Sequence, residues 1–360
     1  MKICLYAIAK NEIKEVDSWY ESMKEADEVI VLDTGSTDGT PERLRELGVT
    51  VYEKTYPKPF RFDVARNDSV ELAYQTDCDI FITTDFDERL NKGWANILKS
   101  KWDSNKHTRA IYDDFFENDK VLGSLNWVHD RSWSWKFPCH EIMIRNGSKW
   151  YTYDEELDLR GEMTLRHYQD HTKSRAQYLP LLELRVKENP NDCASWGYYL
   201  RELMYVSDWK TMLGLYNDLV NKDFSGLEWA WCLIWFSTAF SNTGNSKKAM
   251  ELLFESILVD GRFRTAYVML ATLLSLEKKD SMAEGVLKQA LEDSTPVIRS
   301  VFLDNEDIWN WRIYDWLYAV CYNQHKFEEA LKWITLALLE SPDNVIIQEH
   351  YKDCIEKLKM

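Results

Sequence analysis

Apolar and polar positions follow one rhythm in the first half of this chain and another in the second. Short unbroken apolar runs come first, at residues 3–9, 28–32, 49–53 and 79–84. Each is bounded by turn-forming residues, so each reads as a strand. Between them, residues 13–23, 41–47 and 63–74 carry the i, i+3, i+4 spacing of helices,. Thr40 is the expected N-cap of the second helix, with Pro41 at its first position. Strands joined by helical crossovers predict a parallel α/β sheet with helices on both faces, and such sheets bind ligands outside the carboxyl ends of their strands. From Arg109 to about Arg166 the pattern turns aromatic and irregular, with strands expected at 110–116 and 121–127.

After His171 the helical rhythm runs to the end of the chain, and it repeats. Ser246-Lys247-Lys248-Ala249 and Asp280-Ser281-Met282-Ala283 open equivalent helices, and their alanines stand 34 residues apart. That is the tetratricopeptide (TPR) period, one helix–turn–helix per repeat. Phe327-Glu328-Glu329-Ala330 opens a third such helix after an insertion near 293–307. Asp208-Trp209-Lys210-Thr211-Met212 reads as a degenerate earlier copy, and Pro190 and Pro342 fall where inter-repeat turns belong. The expected organisation is an α/β domain at 1–172 and a TPR-like α-helical domain at 173–360.

Composition narrows the function classes. A net charge of −16 over 360 residues opposes a broad electrostatic grip on nucleic acid or anionic membrane,. The seven cysteines are odd in number and scattered, without a Cys-x-x-Cys pair, which points to thiols in a reducing compartment,. No apolar run reaches the length of a membrane span, so the expected location is cytoplasmic.

The candidate chemistry lies at strand ends. Phe81-Ile82-Thr83-Thr84-Asp85-Phe86-Asp87-Glu88 ends an apolar run in two carboxylates spaced i, i+2, which converge on an extended chain and suit a hard divalent cation carrying a diphosphate,. The loop Asp33-Thr34-Gly35-Ser36-Thr37-Asp38-Gly39 offers a carboxylate for a nucleobase N–H, although any tight turn capping a helix shares its composition. Arg61 and Arg66 near a helix start could fork onto a phosphate, or simply pair with Asp63 or Asp68. Cys139-His140-Glu141 follows Trp127, Trp133 and Trp135; a glutamate sheltered by aromatics could act as a base, and a surface glutamate is the alternative. His167 and His171 would share a face on a helix, beside Asp170, with Lys173 and Arg175 suited to a diphosphate. The tail tryptophans (among them Trp196, Trp209, Trp229, Trp231, Trp235, Trp309, Trp311, Trp316 and Trp333) read mostly as repeat core.

Taken in order, Ala7-Ile8-Ala9-Lys10-Asn11-Glu12, Val31 to Thr40, Ala65-Arg66-Asn67 and Thr84 to Glu88 resemble the successive motifs of inverting family-2 glycosyltransferases with a GT-A fold. The branch with a C-terminal TPR-like array, which includes the sublancin-type peptide S-glycosyltransferases, is similar over nearly the whole chain. The resemblance implies a metal-dependent transfer of sugar from a nucleotide-sugar donor, a UDP-sugar, by single displacement. It assigns Asp33 to the uracil, Ala7 and Ala9 to its wall with Glu12 close by, and Arg66 to the base or diphosphate. It gives Asp85 to the ribose, Asp87 and His167 to Mn²⁺ or Mg²⁺, and Glu141 to the role of base. Two positions depart from the family pattern: Phe86 replaces a small residue, and Pro138-Cys139 stands where glycine commonly precedes the His-Glu pair. The acceptor could be a peptide or protein side chain, a saccharide, or a modified nucleic-acid base; a homodimer through the helical domain is a further expectation.

Two rival classes remain. A nucleotidyltransferase would need a basic triphosphate loop where the acidic Asp33–Thr40 loop stands. A non-catalytic TPR-like interaction protein with a vestigial front domain would be expected to lose the metal carboxylates, yet both are present.

Overall fold

Residues 3–9 form strand β1 (Ile3–Ala9), in which only Ile8 is not fully buried, so an unbroken apolar run marks a strand covered on both faces,. In the computed structural model the described residues are 1–116, 121–148, 156–168, 178–295 and 306–359. The chain continues through α1 (Val16–Met23), β2 (Glu28–Asp33), α2 (Thr40–Glu46), β3 (Thr50–Glu53), α3 (Phe62–Tyr74) and β4 (Ile80–Thr83). These four strands are parallel in the order β3-β2-β1-β4, with Ala9 opposite Asp33 and Tyr6 opposite Thr83.

Beyond β4 the sheet is mixed, which corrects the expectation of a wholly parallel one. β5 (Glu88–Leu90), α4 (Trp94–Lys101), β6 (Arg109–Phe116), β7 (Val121–His129), the hairpin β8 (Trp133–Lys136) and β9 (Ile142–Arg145), β10 (Glu156–Asp158) and β11 (Thr164–His167) follow. The sheet runs β3-β2-β1-β4-β7-β6-β11-β5, with β10 also on β6. Only four residues separate β6 from β7, too few for a crossover, so the two pair antiparallel,. β7 is also antiparallel to β4, β11 parallel to β6, and β5 antiparallel to β11. These reversals bring the carboxyl ends of β1, β2, β4, β6 and β11 and the amino end of β5 to one edge.

Alternate residues of the central strands feed two cores. Ile3, Leu5, Ala7, Val31 and Ile82 pack with Trp19, Leu44, Phe86 and Trp94 on one face. Cys4, Tyr6, Ile30 and Phe81 pack with Val70, Ala73, Trp133 and Trp135 on the other. Phe86 stacks on Trp19 at 4.3 Å, and the Trp19 indole donates to Thr84 Oγ1 at 3.0 Å. The bulky residue between the two aspartates is thus a core anchor for their turn.

α5 (Tyr178–Glu188) leads out of the first of two compact units, Met1–Arg185 and Val186–Met360. The second is helical: α6 (Cys193–Tyr205), α7 (Trp209–Val220), α8 (Gly226–Asn242), α9 (Ser246–Val259), α10 (Arg264–Leu276), α11 (Asp280–Asp293), α12 (Glu306–Trp309), α13 (Trp311–Asn323), α14 (Phe327–Glu340) and α15 (Val345–Lys359). Ala249, Ala283 and Ala330 are each fully buried, as a small residue must be where neighbouring helices approach closely. Met212 is buried at the corresponding place in α7, whose N-cap Asp208 accepts from the Thr211 N–H at 3.1 Å. Most of the insertion near 293–307 lies outside the described residues. Trp229, Trp231 and Trp235 are buried, whereas Trp196, Trp209, Trp309, Trp311, Trp316 and Trp333 are half-buried. No helix among the described residues is long and apolar enough to cross a membrane.

Phe86→Ala should destabilise the first unit by about 3–5 kcal/mol, the usual range for deleting a buried aromatic ring. Urea unfolding followed by Trp fluorescence measures this; an unchanged midpoint would show that the ring does not anchor the turn.

Candidate active site

Asp33 closes β2 and is 1% exposed. Its Oδ1 accepts the backbone N–H groups of Gly35 (2.9 Å) and Ser36 (2.8 Å), while its buried Oδ2 finds no hydrogen-bond partner among the described residues. Gly35 sits at φ 106°, a left-handed conformation that favours glycine,. The loop after β1 is laced to this one. Asn11 Oδ1 accepts from Thr37 N (2.8 Å), Asn11 N donates to Ser36 Oγ (2.7 Å), and Glu12 N donates to Thr40 Oγ1 (2.9 Å). Ala7 and Ala9 are buried in β1, and the Ala9 carbonyl accepts both N–H and hydroxyl of Thr34. The expected N-cap at Thr40 is replaced by Gly39, because the Thr40 hydroxyl is committed to Asp38 and Glu12.

After β4 the backbone turns, so Asp85 and Asp87 do not simply point the same way from an extended chain as their spacing suggested. Asp85 Oδ1 accepts from Arg66 Nη2 at 2.7 Å, whereas Asp87 Oδ2 lies 3.2 Å from His167 Nε2. Glu88 is 2% exposed and bonds back to the Asp85 N–H at 2.7 Å; its other oxygen is 3.8 Å from His167 Nδ1. Burial, with the neighbouring charges of Asp85, Asp114 and Asp87, pushes Glu88 well above the usual carboxylate range,. His167 is raised, chiefly by its hydrogen bond to Asp87 against the opposing pull of burial. It ends strand β11 rather than lying on a helix, which corrects the shared helical face supposed for His167 and His171. Lys173 and Arg175, with Asp170 and His171, lie outside the described residues.

Two members of this edge escaped the sequence reading. Asp114 and Tyr112 face the same side of β6; Asp114 Oδ1 and the Tyr112 hydroxyl are buried without a partner among the described residues. Burial pushes Asp114 up to about 6. The available signal was an acidic pair, Asp113-Asp114, inside an otherwise apolar strand.

Arg66 is 5% exposed on α3. Its Nε donates to Glu141 Oε1 at 2.8 Å and its Nη2 to Asp85, with the guanidinium 4.9 Å from the Trp135 ring and 5.6 Å from that of Trp127. Burial works against its charge, but the two carboxylates outweigh it and leave the pKa above its ordinary value. Glu141 follows β8 in the β8–β9 loop, its side chain 11% exposed; burial raises its pKa and Arg66 pulls it back. The neighbouring cations have local partners: Arg61 pairs with Asp63 at 2.8 Å and Lys54 with Asp68 at 2.6 Å. Among the described residues, three potential metal ligands come together as Glu28, Asp77 and Cys78 and as Glu284, Cys321 and Glu329. Neither group lies at this edge, where Asp87 and His167 form a two-ligand pair.

Residues 5–152 match the family model described as glycosyl transferase family 2. No curated protein matches the chain. Solved structures similar to part of it include TTC0263, a thermophilic TPR protein in Thermus thermophilus, at 18% identity over 50% of this chain and 90% of that one (TM-score 0.35). YrrB, a TPR protein with an unusual peptide-binding site, is 15% identical over 49% of this chain and 84% of its own, with a TM-score of 0.40. MamA is 14% identical over 46% and 81% respectively, with a TM-score of 0.36. The match to glycosyl transferase family 2 falls within the first unit, whose mixed sheet is GT-A-like, and a TPR-like helical array follows along the chain.

Asp114→Asn keeps the side chain's shape and removes its charge. The native carboxyl titrates at about 6, above the ordinary 3.8, so wild-type stability falls as pH rises between those values,. Without added metal, the variant should melt above wild type at pH 8, and the gap should close by pH 4. An equal gap at both would mean Asp114 is not a buried, destabilised carboxylate.

Proposed function

We propose that the first unit is a metal-dependent inverting glycosyltransferase that moves a sugar from a nucleotide-sugar donor, a UDP-sugar, to an acceptor nucleophile. The observation that carries this is a sheet edge holding an unpartnered buried carboxylate oxygen on Asp33 and the Asp87–His167 pair, to which Asp85 ties the Arg66–Glu141 pair. The family match over residues 5–152 supports the same reaction class. A purely structural front domain has no use for so many carboxylates taken out of water, since each costs free energy unless it is paired or neutralised.

The donor base enters at the β1–β2 end. Asp33 Oδ2 accepts a uracil N–H there, against a wall kept thin by Ala7 and Ala9, with Glu12 alongside. Asp85, the more exposed of its pair, takes the ribose hydroxyls. Asp87 and His167, with ligand atoms 3.2 Å apart, would hold Mn²⁺ or Mg²⁺,. A cation bound there would supply positive charge to a departing diphosphate. Lys173 and Arg175 would add to that charge.

Glu141 takes the acceptor's proton as the nucleophile attacks the anomeric carbon and the bond from that carbon to the diphosphate oxygen breaks, inverting the configuration. Arg66 opposes the upward shift that burial imposes on Glu141 and fixes one of its oxygens. The acceptor is any nucleophile that loses a proton in this step, on a peptide or protein, a saccharide or a modified nucleic-acid base. All seven cysteines are unbridged thiols, which suits a reducing, cytoplasmic setting,.

Two measurements test the reading, donor hydrolysis with Mn²⁺ across a panel of nucleotide sugars and nucleotide binding by calorimetry, and neither needs the acceptor. Glu141→Gln should lower kcat by about 10²–10⁴-fold while nucleotide binding persists; an unimpaired rate removes Glu141 as base. Asp87→Ala should abolish the metal-dependent part of nucleotide binding by calorimetry. Unchanged binding in the presence of Mn²⁺ would sink the metal assignment.

A further inference from the structure

The loop that presents Glu141 is strained and externally held. Phe137 and His140 adopt φ values of 80° and 47°, a left-handed region unfavourable for side chains this large,. Such a conformation persists only where surrounding contacts over-determine it. Those contacts come from two helices. At the start of α3, the Phe62 N–H donates to the Pro138 carbonyl at 3.0 Å, one turn before Arg66 grips Glu141 itself. From α5, Arg185 Nη1 donates to the carbonyls of both Cys139 (3.0 Å) and His140 (2.9 Å). The Arg185 guanidinium also lies close on Phe137, its carbon 3.7 Å from the ring centre, and the His140 ring stacks on Tyr178 at 5.4 Å with 19° between planes. Arg185 is 1% exposed. Its position is that of a buried cation that touches both strained residues and binds the carbonyls of Cys139 and His140, immediately before the proposed base.

The geometry points to Arg185 as a positioning residue for the transfer reaction, acting through the backbone of residues 137–140 to fix the carboxylate of Glu141. Its grip on the loop is on backbone carbonyls and on the Phe137 ring, so its effect is on where the base stands and not on donor affinity. The planar fork matters: one guanidinium nitrogen reaches two adjacent carbonyls while the plane packs on Phe137, and an ammonium cannot do both. The inference rests on the reading of Glu141 as base.

The test is a double-mutant cycle on the full chain, with donor hydrolysis in Mn²⁺ as readout. Arg185→Met should lower kcat by about 10²-fold, the loss expected from a misplacement of about 1 Å, with KM for the donor unchanged; Arg185→Lys should fall between it and wild type. In the Glu141→Gln background, Arg185→Met should produce no further loss, because the group it positions is gone. Losses that add in the double variant, a KM that rises with the fall in kcat, or an Arg185→Met enzyme at wild-type rate would each overturn the inference. If Arg185→Met does not fold by circular dichroism, the cycle is run with Arg185→Lys. A Glu141→Gln enzyme at full rate would instead refute the assignment of the base, a distinct outcome.

Discussion

One buried guanidinium organises the chemistry of the first unit. Arg66 lies between Asp85 and Glu141, and removing one partner from such a pair would leave an uncompensated charge, at a cost of about 3–5 kcal/mol,. Stability alone is a weak reason to keep the pair, since well-packed apolar side chains often serve as well. What apolar residues could not do is draw a buried glutamate back toward its charged form beside an open strand end. The core fixes Arg66 in turn. Trp135, under the guanidinium, donates its indole N–H to the Tyr6 hydroxyl at 3.1 Å, and Tyr6 bonds His129 at 2.8 Å. Asn67 bonds both N–H and carbonyl of Trp135. Burial lowers His129 to about 4, so this network is neutral at physiological pH and adds no rival charge.

The rest of the edge is rich in negative charge. Glu88 and Asp114 are shifted toward their neutral forms, chiefly by burial, and His167 is drawn toward its charged form by Asp87. Carboxylates gathered this way are costly in an empty fold and become favourable when a cation and a charged ligand arrive. The β8–β9 loop adds a second local cost, two bulky residues in left-handed geometry worth about 1–3 kcal/mol each,. The strained loop and the unpaired polarity of the sheet edge are joined through Arg66, which bonds Glu141 on one side and Asp85 on the other.

The helical array is held together differently. Helices α9, α11 and α14 each bury a small alanine against neighbours, and a polar staple joins successive repeats: Glu284 of α11 accepts from Lys288, Gln324 and Lys326, tying α11 to the α13–α14 turn. Stability in such arrays is close to a sum of local terms. This is why the period could be read from the chain without reference to the first unit.

The chain by itself determined whatever depends on neighbours in sequence. Apolar runs gave β1, β2 and β4 to within a residue or so at their ends, and the spacing of Ala249 and Ala283 gave the repeat. Strand-end placement put Asp33 and the Asp85/Asp87 pair beside strand ends, though not the turn that sends the two carboxylates to different partners. Tertiary structure decided what depends on topology. A four-residue gap between β6 and β7 turned the sheet antiparallel, and only that reversal carries Asp114, Tyr112 and His167 to the edge where β1, β2 and β4 end. Arg66 rather than Arg61 faces the carboxylates because Asp63 claims Arg61 locally, and no pattern near Glu141 names Arg185, 44 residues further on. Periodicity reports which face of an element is buried; which distant charges then meet is set by the order in which strands pair.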